Sequence, residues 1–161
     1  MSYAIVCSSR TGNTDLLAQA LREALPEEDC LYFGRPDPAA LEAERIYVGF
    51  WTDKGTCDED TARFLQTLTR QQVFLFGTAG FGGSPVYFDQ ILGRVKEHLP
   101  PEASLVGTYM CQGKMPQAVR TRFLGMEDSP RRTAMLDNFD RALSHPDQQD
   151  LDALKSAALQ G

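Results

Sequence analysis

Residues 8–14, Ser-Ser-Arg-Thr-Gly-Asn-Thr, constrain this chain more than any other stretch. An apolar run, Tyr3-Ala4-Ile5-Val6-Cys7, precedes them. Leu16, Leu17, Ala20, Leu21, Ala24 and Leu25 follow at helical spacing and predict one apolar helix face. The heptapeptide is therefore the turn between a buried strand and a helix. The first turn of a helix offers unpaired backbone N–H groups and a partial positive charge, which together attract an anion. Gly12 lets the backbone turn tightly and approach a ligand closely. The hydroxyls of Ser9, Thr11 and Thr14 add donors for phosphate oxygens. A phosphate bound this way needs no lysine. The plain alternative is a Ser/Thr/Asn helix cap, which any α/β protein can carry.

Two common phosphate loops are excluded. A Walker A loop ends in Gly-Lys-Ser/Thr, and the dinucleotide fingerprint needs Gly-x-Gly-x-x-Gly; this turn has Gly12 alone. Further along, Cys30-Leu31-Tyr32-Phe33, Arg45 through Phe50, Val73-Phe74-Leu75-Phe76 and Leu105 through Cys111 read as strands. The span Trp51 to Thr56 reads as a loop, and Asp58-Glu59-Asp60 as an acid-rich helix start with Phe64, Leu65 and Leu68 on its apolar side. A Gly-rich loop over 77–85 leads into a helix over 86–99, stopped by Pro100-Pro101. Helices are expected over 116–124, 130–143 and 147–159. Strands alternating with helices predict an α/β fold with a parallel sheet covered on both faces. Five strands in a chain of 161 residues suit a single domain over 1–161 with strand order 2-1-3-4-5. In such sheets ligands bind beyond the carboxyl ends of the strands, where the unusual loops after strands one, three and four all sit.

Ser-x-Thr-Gly-Asn-Thr after the first strand resembles the FMN-phosphate loop of flavodoxins. The resemblance implies a flavodoxin-like three-layer sandwich with non-covalently bound FMN. Ser8, Ser9, Arg10, Thr11, Gly12, Asn13 and Thr14 would surround the phosphate. Phe50, Trp51 and Thr52, with Thr78, Ala79, Gly80, Phe81, Gly82 and Tyr87, would surround the isoalloxazine ring. Arg10 replaces a neutral residue and either pairs with the phosphate or faces solvent. Trp51 either stacks on the flavin or closes the top of the core. The tyrosine that covers the outer ring face in flavodoxins falls at Pro85, so Phe81 or Tyr87 would substitute or the face would stay open. The loop Gln112 to Pro116 could touch the ring edge. The segment Phe139 to Asp147 resembles a bacterial flavodoxin-like branch, and one such branch is associated with bile-pigment reduction.

Charge and composition narrow the function classes. A net charge of −6 argues against nucleic acid and fits a partner with a basic docking surface. Asp53, Asp58, Glu59 and Asp60 are candidates for an acidic rim around the ring. No run of about 18 apolar residues is present, so no membrane span is expected. No basic leader precedes the first strand, and the expected location is the cytoplasm. Four scattered cysteines suggest neither zinc nor a redox pair; Cys7, Cys30 and Cys111 read as buried and Cys57 as a loop residue. His98 and His145 lie near helix ends. The leading expectation is an electron carrier between redox partners. The rivals are an FMN-dependent reductase fed by a nicotinamide, and a flavin-free interaction module on the same fold.

Overall fold

Apolar strands that recur between amphipathic helices build the expected sheet. The computed structural model describes residues 1–81 and 84–160. Its elements are β1 (Tyr3–Cys7), α1 (Asn13–Ala24), β2 (Cys30–Gly34), β3 (Arg45–Asp53), β4 (Thr56–Cys57), α2 (Glu59–Gln66), β5 (Gln72–Ala79), α3 (Pro85–Lys96), β6 (Ser104–Gln112), α4 (Gln117–Leu124), α5 (Pro130–Ala142) and α6 (Gln148–Gln160). The sheet order is β2-β1-β3-β5-β6, with every one of these pairs parallel and β4 pairing antiparallel with β3. Leaving β4 aside, the parallel strands follow the expected 2-1-3-4-5 order.

Alternate residues of a strand face opposite sides of a sheet, and two cores result. Ala4, Val6, Ile46, Val48, Leu75 and Val73 share one core with Leu65 of α2 and Ile91 and Val95 of α3. Tyr3, Ile5, Tyr47, Phe74 and Phe76 share the other with Leu17 and Leu21 of α1 and Leu154 of α6. Phe123 of α4, with Phe139 and Ala142 of α5, is also buried. Leu16 departs from the expected helix face and is 48% exposed. The sheet-facing arc of α1 runs through Thr14, Leu17, Ala18 and Leu21, and Leu16 points off it. Cys30 is only half-buried because β2 is an edge strand.

The span read as a loop after the third strand is instead a hairpin. β3 runs on through Trp51, Thr52 and Asp53, and Thr52 pairs with Cys57. Lys54 (φ 53°) and Gly55 (φ 85°) make the turn, the paired positive φ of a tight two-residue hairpin. Aromatic and β-branched residues favour strand here over loop. Cys57 is accordingly buried, and burial pushes its thiol up to about 11, with Asp58 adding to the shift.

Glycine sets the spacing at the carboxyl ends of β3 and β5. Gly49 lies opposite Phe76, and Phe50 lies opposite Gly77. A Cβ on Gly49 would meet the Phe76 ring at 2.5 Å, and one on Gly77 would enter the Phe50 ring. Each aromatic ring thus covers the glycine across from it. Gly77→Ala is expected to destabilise the protein by about 1–3 kcal/mol through overpacking. Urea denaturation checks this, and an unchanged midpoint would contradict it.

Candidate functional site

The turn after β1 is held by its own side chains. Ser9 Oγ accepts from Gly12 N at 3.1 Å, and Asn13 Nδ2 donates to Thr11 Oγ1 at 3.1 Å. Both hydroxyls act as acceptors there, so their protons remain available to a ligand. Gly12 has φ 90°, and a Cβ on it would meet nothing within 4 Å, so the turn faces open space. No side chain caps α1, which leaves the first-turn N–H groups for an anion.

Thr14 behaves differently from the expected phosphate donor. It is fully buried, and its hydroxyl donates to Phe50 O at 3.1 Å. With that single proton committed, the 3.1 Å contact to Thr78 Oγ1 is one in which Thr78 donates. Thr14 therefore ties α1 to β3 and β5 rather than facing a ligand. Phe50 is also fully buried, in the core. Ser8 and Ser9 line two other hollows, of about 410 and 130 Å³, beside the end of β2.

The remaining candidates, Gly12 and Gly82 apart, meet in one cavity of about 500 Å³ at the carboxyl end of the sheet. That volume is within the ordinary range for a small-molecule site. Arg10, Thr11 and Asn13 line it from the turn after β1, and Trp51 and Thr52 from β3. Thr78, Ala79, Gly80 and Phe81 line it from the end of β5, and Tyr87 from α3. Gly82 lies outside the described residues. The cavity thus joins the heptapeptide to the only tryptophan. Trp51 is half-buried, and the Arg10 guanidinium sits 5.5 Å from the centre of its ring. Pro85 begins α3, where Ser84 caps the helix through Tyr87 N at 3.2 Å.

A family model for the flavodoxin domain matches residues 4–159. The chain belongs to the flavodoxin domain family. It is 41% identical to the flavodoxin-like domain-containing protein BilS of Clostridium symbiosum, over 96% of this chain and 93% of that one. It is 26% identical to BilS of Clostridioides difficile, over 94% and 90%. Among solved structures it resembles a Lactobacillus acidophilus flavoprotein in complex with FMN, with TM-score 0.53 and 12% identity over 68% of this chain and 93% of that one. It also resembles a Streptococcus flavodoxin, with TM-score 0.52 and 16% identity over 89% and 98%. These two likenesses concern the fold.

Gly113, Lys114, Met115 and Pro116, of the loop expected at the ring edge, line the cavity, and sequence reasoning missed Val119 and Arg122 of α4, which line it as well. Asn13 Nδ2 donates to Lys114 O at 2.8 Å, and Lys114 N donates to His145 O at 2.9 Å, so the turn after β1 and the end of α5 hold this loop between them. Gln112 Nε2 and Asn138 Nδ2 both donate to Gly80 O, at 3.2 and 2.9 Å. Asn138 is a buried amide next to the buried Phe139, and a polar residue on an apolar helix face was the one available signal. The four acids do not gather at the ring position. Of them only Asp53 lines the cavity. Asp58 is buried; it caps α2 through Thr61 N at 3.2 Å, accepts from the Thr61 hydroxyl at 2.9 Å and lies 3.4 Å from Trp51 N. Asp60 pairs with Arg63 beside the other hollow.

The donor set fits the phosphate of a flavin mononucleotide, the group that the family resemblance implies. The observations are the open space over Gly12, the uncapped first-turn N–H groups of α1 and the hydroxyl protons of the turn that are left for a ligand. Asp58→Ala removes the cap of α2 and the anchor behind Trp51. It is expected to cost about 1–2 kcal/mol of stability and to shift Trp51 emission to the red. Urea melts followed by fluorescence check both, and wild-type behaviour in both would contradict the anchoring role.

Proposed function

We propose that this chain binds FMN in the 500 Å³ cavity and carries electrons between redox partners. One observation carries the reading: Arg10, Thr11 and Asn13 of the turn after β1 and the single tryptophan line the same cavity at the switch point of the sheet. Membership of the flavodoxin domain family supports it. On this reading Thr11 and the first-turn N–H groups of α1 hold the phosphate, with Arg10 within reach. Trp51, Phe81 and Tyr87 supply aromatic surface for the ring. The cofactor supplies the redox chemistry. The protein supplies position, partial burial and the local field. Among the described residues no helix is long and apolar enough to cross a membrane. We place the protein in the cytoplasm as part of the same proposal.

FMN is expected to bind far more tightly than riboflavin, because the turn after β1 addresses only the phosphate. Each charge-assisted hydrogen bond lost is worth about 1.5–3 kcal/mol. Equal affinities in a titration would remove the reading. FMN is also expected to quench the fluorescence of Trp51 strongly, and Trp51→Ala to weaken binding by about 1–3 kcal/mol, the range for a base stacked on an aromatic side chain. Stopped-flow mixing with NADPH or NADH separates carrier from reductase. A carrier keeps its yellow flavin band through the first seconds, whereas rapid bleaching would make this an NAD(P)H oxidoreductase.

A further inference from the structure

The chain carries six more acidic than basic residues, yet the cavity is lined by Arg10, Lys54, Lys114 and Arg122 against the single acid Asp53. All four cations are exposed. The ion pairs of the described residues are Arg63–Asp60, Arg120–Asp140, Arg132–Asp128 and the His145 pairs, so among the described residues none of the four pairs with an acid, and with Arg10 in reach of the phosphate, Lys54, Lys114 and Arg122 are left for a partner. Arg120, two residues before Arg122 on α4, faces another way and pairs with Asp140, while Arg122 lines the cavity. Each cation comes from a different segment: the turn after β1, the β3–β4 hairpin, the loop after β6, and α4. They enclose the cavity from several sides. Phe81 (41% exposed) lines the same cavity, and Val86 (68% exposed) precedes the lining Tyr87. Apolar residues inside a charged rim are the anatomy of a protein-docking face.

We propose that the mouth of this cavity is the docking face for a redox protein that presents a carboxylate-rich surface. The inference deepens the carrier reading and rests on it. It replaces the expected basic partner, because net charge describes the whole molecule while encounter is steered by the charges around the reacting edge. Lys54, Lys114 and Arg122 attract a partner's carboxylates to the opening, and the −6 charge of the whole chain repels acidic proteins elsewhere. Approach in the one orientation that faces the cavity is thereby selected.

Poly-L-glutamate is the probe for such a surface, with uncharged poly-L-glutamine as control, each fluorescein-labelled and followed by anisotropy. Both are titrated into the full chain with and without added FMN, so the outcome does not depend on flavin binding. Polyglutamate is expected to bind more tightly than polyglutamine and to weaken with added salt. Lys54→Asn with Arg122→Gln should weaken it roughly tenfold or more, on the scale of electrostatic steering. Asn is used at Lys54 because it tolerates the positive φ of that turn. Lys96→Gln, at the far end of α3, should change nothing. A separate Lys114→Gln variant repeats the test should the double variant fail to fold. Equal binding of the two polymers, or undiminished binding in the folded variants, overturns the proposal. So does displacement of polyglutamate by citrate at the same carboxylate concentration, which would identify a small-anion pocket. Failure here leaves the flavin and NADPH results standing, so it is separable from failure of the carrier reading.

Discussion

The carboxyl end of the sheet is organised around one buried hydroxyl. Thr14 Oγ1 donates to the carbonyl of Phe50 and accepts from Thr78, so the first turn of α1 is fastened to β3 and β5 at once. Thr52 adds a further bond, its hydroxyl donating to Thr78 O at 2.8 Å. A buried polar group left without its partner costs roughly 1–3 kcal/mol, so none of the three segments can shift alone. The consequence is geometric. The turn after β1 and the strand that carries Trp51 keep a fixed relation, and a ligand spanning both would meet a preformed site. The glycine–aromatic pairs one residue back along the strands make this approach possible. With Gly49 under the Phe76 ring and Gly77 under the Phe50 ring, the strand ends stay close while both faces remain packed.

The charge of the molecule and the charge of its site have opposite signs. Composition reports the first, and only tertiary structure reports the second. Asp58 illustrates how the difference arises. An acid just ahead of an amphipathic helix is as good a cap as a surface charge, and here capping wins because two N–H groups and a hydroxyl converge on the carboxylate. Its charge is then directed into the β3–β4 junction rather than toward a partner. Asp60 is taken up by Arg63. Meanwhile four cations far apart in sequence are brought to one opening by the topology.

Much of the fold was legible in the sequence because it rests on local periodicity. The apolar runs at Tyr3 to Cys7 and Val73 to Phe76 could only be covered strands, and the helices between them fixed a parallel sheet. The heptapeptide was legible as the turn between β1 and α1 because its flanking strand and helix are adjacent in the chain. The hairpin after β3 was not, since the Asp-Lys-Gly-Thr run looks like a loop unless the strand is known to continue. Leu16 was misplaced because six apolar positions span more of the helix surface than the sheet covers. The roles of Thr14 and Phe50 were also hidden. A hydroxyl in a phosphate-loop pattern looks the same whether its proton points to a ligand or to a carbonyl 36 residues away.

The far wall of the cavity comes from the part of the chain with the weakest sequence signal. Lys114 N is held by His145 O, and Gly80 O is held by Asn138 and Gln112. Asp147 and Asp150 cap each other's backbone at the start of α6, at 2.9 Å in both directions, and His145 Nδ1 lies 2.6 Å from Asp150. This His–Asp cluster is thus a structural brace, because its carboxylates are already committed to backbone N–H groups. The two halves of the site therefore answer to different parts of the sequence. The turn after β1 and the ends of β3 and β5 form the half proposed to recognise a cofactor, built from short-range patterns common to the fold. Lys114, Val119 and Arg122 form the half proposed to face a partner, positioned by contacts across the whole chain. Two chains of this fold can keep the first half and exchange the second, which separates what they bind from what they meet.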